Sequence, residues 1–123
     1  MTQAAILIVE DDPLSLELAQ AILETAGYTV LSVKDGVGLL ERVKAERPDL
    51  ILMDLQLPHI DGLTLVRQLK ADDETRQIPV VMATAYTLSE ARAKALEAGC
   101  AAYLTKPLDS HTLLQTVADV LKR

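Results

Sequence analysis

The sequence predicts an α/β fold of the (βα)5 type, built on a doubly wound, five-stranded parallel sheet. Five short apolar runs recur along the chain, at residues 4–9, 28–33, 50–53, 78–83 and 101–104. The segments between them carry apolar residues at helical spacing. Alternating β and α segments require crossover connections, which place the strands parallel in a sheet that helices cover on both faces.

The first helix is marked at both ends. Asp12 and Pro13 supply an N-cap and a first-turn proline, and Gly27 follows the last turn. The stripe between them has members at i, i+3, i+4, i+7, i+8 and i+11, namely Ser15, Leu18, Ala19, Ile22, Leu23 and Ala26. We expect this stripe to face the sheet.

Three further helices carry a cap or a stripe of their own. Asp61 is a candidate N-cap for the third helix, and Thr87 with Glu90 has the pattern of a capping box for the fourth. The stripes are Leu63, Val66 and Leu69 in the third helix, Leu88, Ala91, Ala95 and Ala98 in the fourth, and Leu113, Val117, Val120 and Leu121 in the fifth. Because alanine buries little area, we expect the fourth helix to be held more loosely than the first.

The composition of the strands predicts their order. The first, third and fourth runs are apolar, as expected of strands buried on both faces. The second run contains Thr29 and Ser32, and the fifth is short and rich in alanine, so these two fit the edges. The resulting order, 2-1-3-4-5, is the flavodoxin-like arrangement.

Composition limits the class of protein. Half of the 123 residues are apolar and Phe and Trp are absent, so we expect one aliphatic core and one domain over residues 1–123. No apolar run approaches the roughly 18 residues that span a bilayer, and the N-terminus has no basic segment, so we expect neither membrane insertion nor a signal peptide. The single Cys100 suits a reducing cytoplasm, and the net charge of -6 argues against direct nucleic-acid binding.

Acidic residues end two strands that the predicted order makes neighbours. Glu10 and Asp11 follow the first strand, and Asp54 follows the third. In such sheets ligands bind at the carboxyl ends of the strands, where the strand order reverses. At an effective dielectric constant of about 20, two like charges about 4 Å apart repel by roughly 4 kcal/mol, so the cluster needs a cation. Mg²⁺, which prefers oxygen ligands, is the simplest candidate.

Two other strands end in complementary groups. Thr84 follows the fourth strand and offers a hydroxyl, and Lys106 follows the fifth and offers an ammonium group. With Asp54 as nucleophile and a metal ion, these groups make a phosphoryl-transfer site, where catalysis is mostly positioning and charge neutralisation. An aspartate can take the phosphoryl group itself as an acyl phosphate.

With these residues in place, the chain resembles the receiver domain of two-component response regulators over essentially its whole length, and most closely the stand-alone, single-domain type. The segments that carry the resemblance are ILIVEDD, PDLILMDLQLPHIDG, PVVMATAY and GCAAYLTKPL, in this order. The resemblance implies that Asp54 is the phosphoacceptor, that Asp11 binds the metal directly and that Glu10 holds it through water. It also implies that the backbone carbonyl of Gln56 is a metal ligand, and that the ion is Mg²⁺ or Mn²⁺.

The resemblance also assigns the switch. The matched positions are Thr84 for the switch hydroxyl, Lys106 for the phosphate-binding lysine and Tyr103 for the aromatic residue that turns inward on activation. The bond between Lys106 and Pro107 matches one that is usually cis in the family. The side chains of Gln56 and Tyr86 match positions that set how readily water reaches the acyl phosphate, although Tyr86 is equally well explained as a surface ring that touches Tyr103.

These assignments imply a sensor histidine kinase or a histidine phosphotransfer protein as donor, and a downstream protein target. We expect residues 84–107 to be the bistable element, with the fourth helix, fifth strand and fifth helix as the output surface. Leu16 falls off the buried stripe of the first helix and Leu14 lies at its margin, so the two are candidate docking residues for the donor. The alternative is that they are singly exposed leucines of no special role.

Three other functional classes fit less well. A flavin binder would need a phosphate-cradling loop after the first strand, where this chain has Glu-Asp-Asp-Pro. A phosphohydrolase of the aspartyl type needs a second acid shortly after its nucleophile, and Leu55 and Gln56 supply none. A scaffold that takes no phosphate would not need all five site positions filled. We therefore expect a signalling switch with self-catalysed phosphorylation and dephosphorylation, and not a metabolic enzyme.

His59 and His111 are predicted to be surface residues, and Cys100 a small buried hydrophobic one.

Overall fold

The computed structural model describes residues 4–85 and 88–122, and strands and helices alternate in it as the sequence predicts. The strands are β1 (Ala5–Val9), β2 (Thr29–Val33), β3 (Leu50–Met53), β4 (Val80–Thr84) and β5 (Ala102–Thr105). The helices are α1 (Pro13–Thr25), α2 (Leu39–Glu46), α3 (Gly62–Ala71), α4 (Ser89–Ala98) and α5 (Ser110–Leu121). The strands are parallel in the order β2-β1-β3-β4-β5, which confirms the predicted flavodoxin-like sheet.

Aliphatic side chains fill a core layer on each face of the sheet. One layer receives side chains from α2, α3 and α4, namely Leu39, Val43, Leu65, Val66, Leu69 and Ala95. The other receives side chains from α1 and α5, namely Ala19, Leu23, Leu113, Val117 and Val120. Within β1, Leu7 and Val9 face the first layer while Ile6 and Ile8 face the second. A strand with both faces buried must be apolar throughout, which is why the sequence identified β1 as central.

The register brings the ends of β1 and β3 to the same level. Val9 lies opposite Met53, so the residues that follow them, Glu10 and Asp54, leave the sheet side by side. The backbone N–H of Asp54 donates to the Val9 carbonyl (3.1 Å), and that of Glu10 donates to the Val33 carbonyl (3.0 Å). Both acids are thus held by the hydrogen-bonding pattern of the sheet itself.

Aspartates cap three of the helices. The side chain of Asp12 accepts a hydrogen bond from the N–H of Ser15, and Asp61 caps α3 in the same way through Thr64. Asp109 caps α5. A cap of this kind typically stabilises a helix by about 1 kcal/mol. The predicted capping roles of Asp12 and Asp61 are therefore confirmed.

β4 differs from the prediction at both ends. It was expected at residues 78–83 but begins at Val80, because Pro79 has no N–H for the sheet and the Ile78 N–H donates to the Thr75 carbonyl (3.0 Å) in a turn. At its other end the strand includes Thr84, which was expected just after it. β1, β2 and β5 each begin one residue later than predicted.

α4 is less firmly packed than the sequence suggested. It begins at Ser89, with Leu88 as its N-cap residue, and the described residues supply no side-chain cap. The predicted capping residue Thr87 lies outside the described residues, as does Tyr86. Ala95 is the buried residue of this helix, whereas Leu88 is 57% exposed. The expected anchoring by Leu88 was therefore wrong.

The buried stripe of α1 is rotated from the predicted one. Leu16 packs against the core together with Ala19 and Leu23, whereas Leu18 is 44% exposed. The residues at 16, 19 and 23 follow i, i+3 and i+7, so they form a helical stripe of their own. Because α1 is apolar on more than one side, its periodicity did not distinguish the two stripes.

Candidate functional site

Three carboxylates meet beyond the ends of β1 and β3. One carboxylate oxygen from each of Glu10, Asp11 and Asp54 lies within 4.8 Å of the other two. Glu10 is 5% exposed and Asp54 is 8% exposed, whereas Asp11 faces solvent. The structure therefore brings together the three acids that the sequence predicted to converge, with two of them shielded from water.

A single ammonium group lies between the two buried acids. The Nζ atom of Lys106 donates to Oδ2 of Asp54 (2.9 Å) and also to Oε1 of Glu10. Sequence reasoning placed Lys106 near Asp54 but missed its contact with Glu10. Since glutamate is one methylene longer than aspartate, the identity of residue 10 was the available signal for this second contact.

Backbone N–H groups satisfy the remaining carboxylate oxygens of the buried pair. The N–H of Gln56 donates to Oδ1 of Asp54 (3.0 Å), and the N–H of Asp12 donates to Oε2 of Glu10 (3.1 Å). Each carboxylate is therefore held by one backbone donor and by the shared ammonium group. This fixes both side chains without needing a further protein residue.

The surroundings of the acids shift two pKa values. Burial raises the pKa of Glu10, and the charge of Asp54 raises it further, although hydrogen bonds from Lys106 and Asp12 act in the opposite direction. Burial lowers the pKa of Lys106, but its hydrogen bonds to Asp54 and Glu10 outweigh this, so the pKa is raised overall. Lys106 therefore stays protonated at neutral pH and is a permanent counter-charge for the site.

β4 and β5 deliver the other two predicted groups. Thr84 is the last residue of β4 and is fully buried. The backbone N–H of Lys106 donates to the Thr84 carbonyl (2.8 Å), which joins the ends of these strands, and the peptide bond from Lys106 to Pro107 is cis, as the resemblance implied. Thr84 and Lys106 thus share the rim of the sheet with Asp54.

The remaining predicted residues vary in their placement. Tyr103 lies in β5 with its side chain buried, and the Gln56 residue is exposed. Cys100 is buried, and His59 and His111 are exposed, as predicted. Tyr86 is not among the described residues, so its role stays a prediction.

The exposed apolar patch at α1 differs in its members from the docking residues that the sequence predicts. Leu14 is 75% exposed, and it borders a groove of about 150 Å³ together with Leu18, Pro107 and Leu108. Leu16 does not belong to this surface because it packs against the core. Rotation of the stripe of α1 is the reason that the sequence selected Leu16 instead of Leu18.

None of the helices in the described part of the chain combines the length and apolar character that a membrane crossing requires.

Comparison with known proteins gives one consistent family. The family model for the response regulator receiver domain matches residues 6–118. The polar-differentiation response regulator DivK of Brucella anthropi is 37% identical over 117 residues, which cover 95% of this chain and 95% of that protein.

Solved structures agree with the sequence comparison. The receiver domain of a sensor histidine kinase from Pseudomonas aeruginosa, with a magnesium ion coordinated in its active site cleft, superposes with a TM-score of 0.90 at 33% identity, covering 99% of this chain and 100% of that chain. The BeF3-activated receiver domain of RstA from Klebsiella pneumoniae gives a TM-score of 0.90 at 32% identity, covering 97% of this chain and 99% of that chain.

Proposed function

Since this chain belongs to the response regulator receiver domain family, we propose that it accepts a phosphoryl group on Asp54 from a phosphohistidine donor and uses it to switch a protein-binding surface. The observation that carries the proposal is the placement of Asp54. Its carboxylate lies 2.9 Å from the Lys106 ammonium group and beside the carboxylates of Glu10 and Asp11. A nucleophile, a fixed cation and a cluster of oxygen ligands are the parts that phosphoryl transfer needs.

The oxygen cluster suits a hard divalent cation. Three carboxylates with mutually close oxygens carry more negative charge than Lys106 alone neutralises. Mg²⁺ or Mn²⁺ would be held by Asp11, Asp54 and the Gln56 backbone carbonyl, with Glu10 acting through water. Bound there, the ion would supply charge neutralisation for the oxygens of the incoming phosphoryl group.

In the transfer step, a carboxylate oxygen of Asp54 forms a bond to phosphorus while the bond from phosphorus to the imidazole nitrogen of the donor breaks. The electron pair of that bond stays on the imidazole. Lys106 is already beside Asp54, so its ammonium group can follow the negative charge onto the phosphoryl oxygens. The Thr84 hydroxyl would donate a hydrogen bond to another of these oxygens.

Water is the only co-reactant in the loss of the phosphoryl group. A water molecule attacks phosphorus, Asp54 leaves as a carboxylate, and inorganic phosphate is released. The Gln56 residue is exposed next to the acceptor, so its side chain is placed to limit or assist the approach of water. We assign the same rate-setting role to Tyr86. The protein is thus a switch that catalyses its own modification, and not a metabolic enzyme.

The signal would travel through the region from Thr84 to Pro107. Three added phosphoryl oxygens would draw the Thr84 hydroxyl towards Asp54, and Lys106, which already contacts Asp54, would turn its ammonium group onto them. The strand that ends at Thr84 and the strand that Lys106 follows flank α4 in the chain. Because α4 buries little, it is the element that can shift, with Tyr103 of β5 as its marker. The surface of α4, β5 and α5 would then bind a downstream protein target.

The donor would be a sensor histidine kinase or a histidine phosphotransfer protein in the cytoplasm. We assign its docking to the groove at α1, where Leu14 and Leu18 are exposed beside Pro107. This groove lies next to Lys106, so a partner seated there would have the acceptor within its reach.

Mass spectrometry after incubation with Mg²⁺ and acetyl phosphate tests the proposal. Wild type should gain one phosphoryl group, and Asp54→Ala should gain none, because the acceptor carboxylate is gone. Asp109→Ala, which removes an aspartate from the cap of α5, is the matched control and should still be modified. A wild-type protein left unmodified by acetyl phosphate and by a phosphorylated histidine kinase would contradict the proposal.

A further inference from the structure

The first turn of α3 lies directly against the backbone that carries Asp54. Gly62 is the first residue of this helix, and its N–H donates to the Leu55 carbonyl (2.8 Å). A Cβ atom at this position would lie 2.9 Å from the Leu55 Cα and 3.2 Å from the Asp54 carbonyl carbon, and closer still to the Asp54 carbonyl oxygen. These neighbours are backbone atoms, which cannot turn away as a flexible side chain can.

Proximity, and not backbone conformation, is the reason for a glycine here. The glycines with positive φ are Gly27, Gly38 and Gly99, and Gly62 is not among them. An alanine at residue 62 would therefore suit the helical backbone but would have to push α3 away from residues 54 and 55.

The segment that Gly62 contacts is held on its other side by the sheet. The N–H of Asp54 donates to the Val9 carbonyl (3.1 Å), and one residue further along, Leu55 accepts from Gly62. The Gln56 N–H then closes onto Oδ1 of Asp54 (3.0 Å). Residues 54–56 are thus held between β1 and the start of α3, and these hydrogen bonds restrict rotation of their backbone.

We propose that Gly62 is a positioning residue for the phosphoryl-transfer site. Its missing side chain lets α3 press against the backbone of Asp54 and Leu55, and this contact fixes the segment that carries the acceptor carboxylate and the Gln56 carbonyl. The inference rests on the function proposed above, and it adds to the site a residue that bears no functional group.

Gly36 provides a matched control for the same substitution. A Cβ atom there would lie 2.9 Å from Cδ2 and 3.1 Å from Cγ of Leu65, which also belongs to α3. Gly36→Ala therefore crowds the same helix, but its nearest neighbours are atoms of a side chain that can move and not the backbone of residues 54–56. Both variants should lose stability, and only Gly62→Ala should disturb the acid cluster.

The experiment measures Mn²⁺ binding by the loss of the electron paramagnetic resonance signal of the free ion, with urea unfolding as the measure of stability. Gly62→Ala should bind Mn²⁺ about tenfold or more weakly than wild type, as expected when the groups that orient metal ligands are displaced. Gly36→Ala should keep the wild-type affinity despite its lower stability. Phosphorylation by acetyl phosphate should slow in Gly62→Ala alone.

Each other result has a defined meaning. Unchanged Mn²⁺ affinity in Gly62→Ala, or an equal loss in Gly36→Ala, would overturn the positioning role while leaving the proposed function intact. If Gly62→Ala is unfolded in buffer, the comparison is repeated in a stabilising osmolyte, and a variant that stays unfolded there counts against the inference. A wild-type protein that binds no Mn²⁺ would instead overturn the proposed function.

Discussion

At the scale of single residues, Lys106 supplies the positive charge that offsets the two buried acids of the cluster. Its ammonium group contacts Glu10 and Asp54. Because the lysine side chain is only 15% exposed, solvent screens these ion pairs little. A buried carboxylate that loses its donor is costly, because it keeps its desolvation and gains nothing in return. The lysine therefore stabilises the fold by offsetting the charge of the two buried acids.

Replacing the ammonium group tests that support. Lys106→Met keeps the length of the stem, and we expect it to lower the free energy of unfolding at pH 7 by about 2 kcal/mol in the absence of metal. The pKa of Glu10 is raised by burial in the folded state, and loss of the lysine removes an opposing interaction. The folded variant then binds the proton of Glu10 more tightly than the unfolded chain does. The loss of unfolding free energy relative to wild type should therefore become smaller as the pH falls through the raised pKa of Glu10.

Urea unfolding at pH 7 and pH 5, without divalent metal, measures this effect. Lys34→Met, which removes an exposed lysine, is the control and should change stability little at either pH. A deficit for Lys106→Met that is the same at both pH values would contradict the assigned electrostatic role.

Cys100 allows a second test at this scale. Burial raises the pKa of its thiol to about 11 from an ordinary value of 9.0, and the nearby charge of Lys70 only partly opposes this. We expect the native protein to react slowly with Ellman's reagent at pH 8, and the urea-unfolded chain to react quickly. Since the unfolded thiol ionises first, stability should fall as the pH rises from about 9 to about 11, and Cys100→Ala should not show this part of the alkaline loss. Rapid labelling of the native protein would show that the thiol is accessible.

At the scale of elements, the two ends of α4 differ in how many contacts hold them to the rest of the protein. At its C-terminal end, the Cys100 N–H donates to the Ala95 carbonyl (3.1 Å), and Gly99 lies against the stem of Lys70. At its N-terminal end, Leu88 is exposed and none of the described side chains caps the helix. The free energy needed to displace the first turns of α4 is therefore smaller than for α1, which is capped by Asp12.

Hydrogen exchange with and without beryllofluoride and Mg²⁺ tests the role of this helix. We expect altered protection in the first two turns of α4 and in β5, because Thr84 moves towards the occupied acceptor while Lys106 shifts its contact from Asp54 to the added oxygens. The amides of α1 between Leu16 and Leu23 should change little, since this stripe packs against the core on the other face of the sheet. Equal changes in α1 and α4 would contradict a switch localised in residues 84–107.

At the scale of the whole molecule, a bound divalent cation should stabilise the folded chain through mass action. A ligand present at about ten times its Kd adds roughly 1.4 kcal/mol, which corresponds to a rise in Tm of about 5 °C for a chain of this size. The net charge of -6 also responds to ionic strength, so NaCl at matched ionic strength is the control for MgCl₂. Asp11→Ala should lose the extra stabilisation by Mg²⁺, and an equal rise in Tm for this variant would contradict the assigned ligand set.

The sequence predicted the parts of the molecule that depend on local pattern. The strand order followed from which runs were apolar on both faces, and the meeting of Asp11 with Asp54 followed from that order. The choice between Leu16 and Leu18 did not follow, because α1 is apolar on two sides and its rotation depends on packing against the sheet. The clamp made by Gly62 was also out of reach, since a close approach of two backbones leaves no periodic signal.

The two layers of the core place the proposed docking groove at α1 and the helix α4 on opposite faces of the sheet. α1, with exposed Leu14 and Leu18, covers one face of the sheet, whereas α4 covers the other. A histidine donor seated on the first helix would leave the outer side of the fourth uncovered. A partner that contacts α4 alone would therefore bind beside a seated donor, whereas one that also needs α5, which lies on the same face as α1, would compete with that donor.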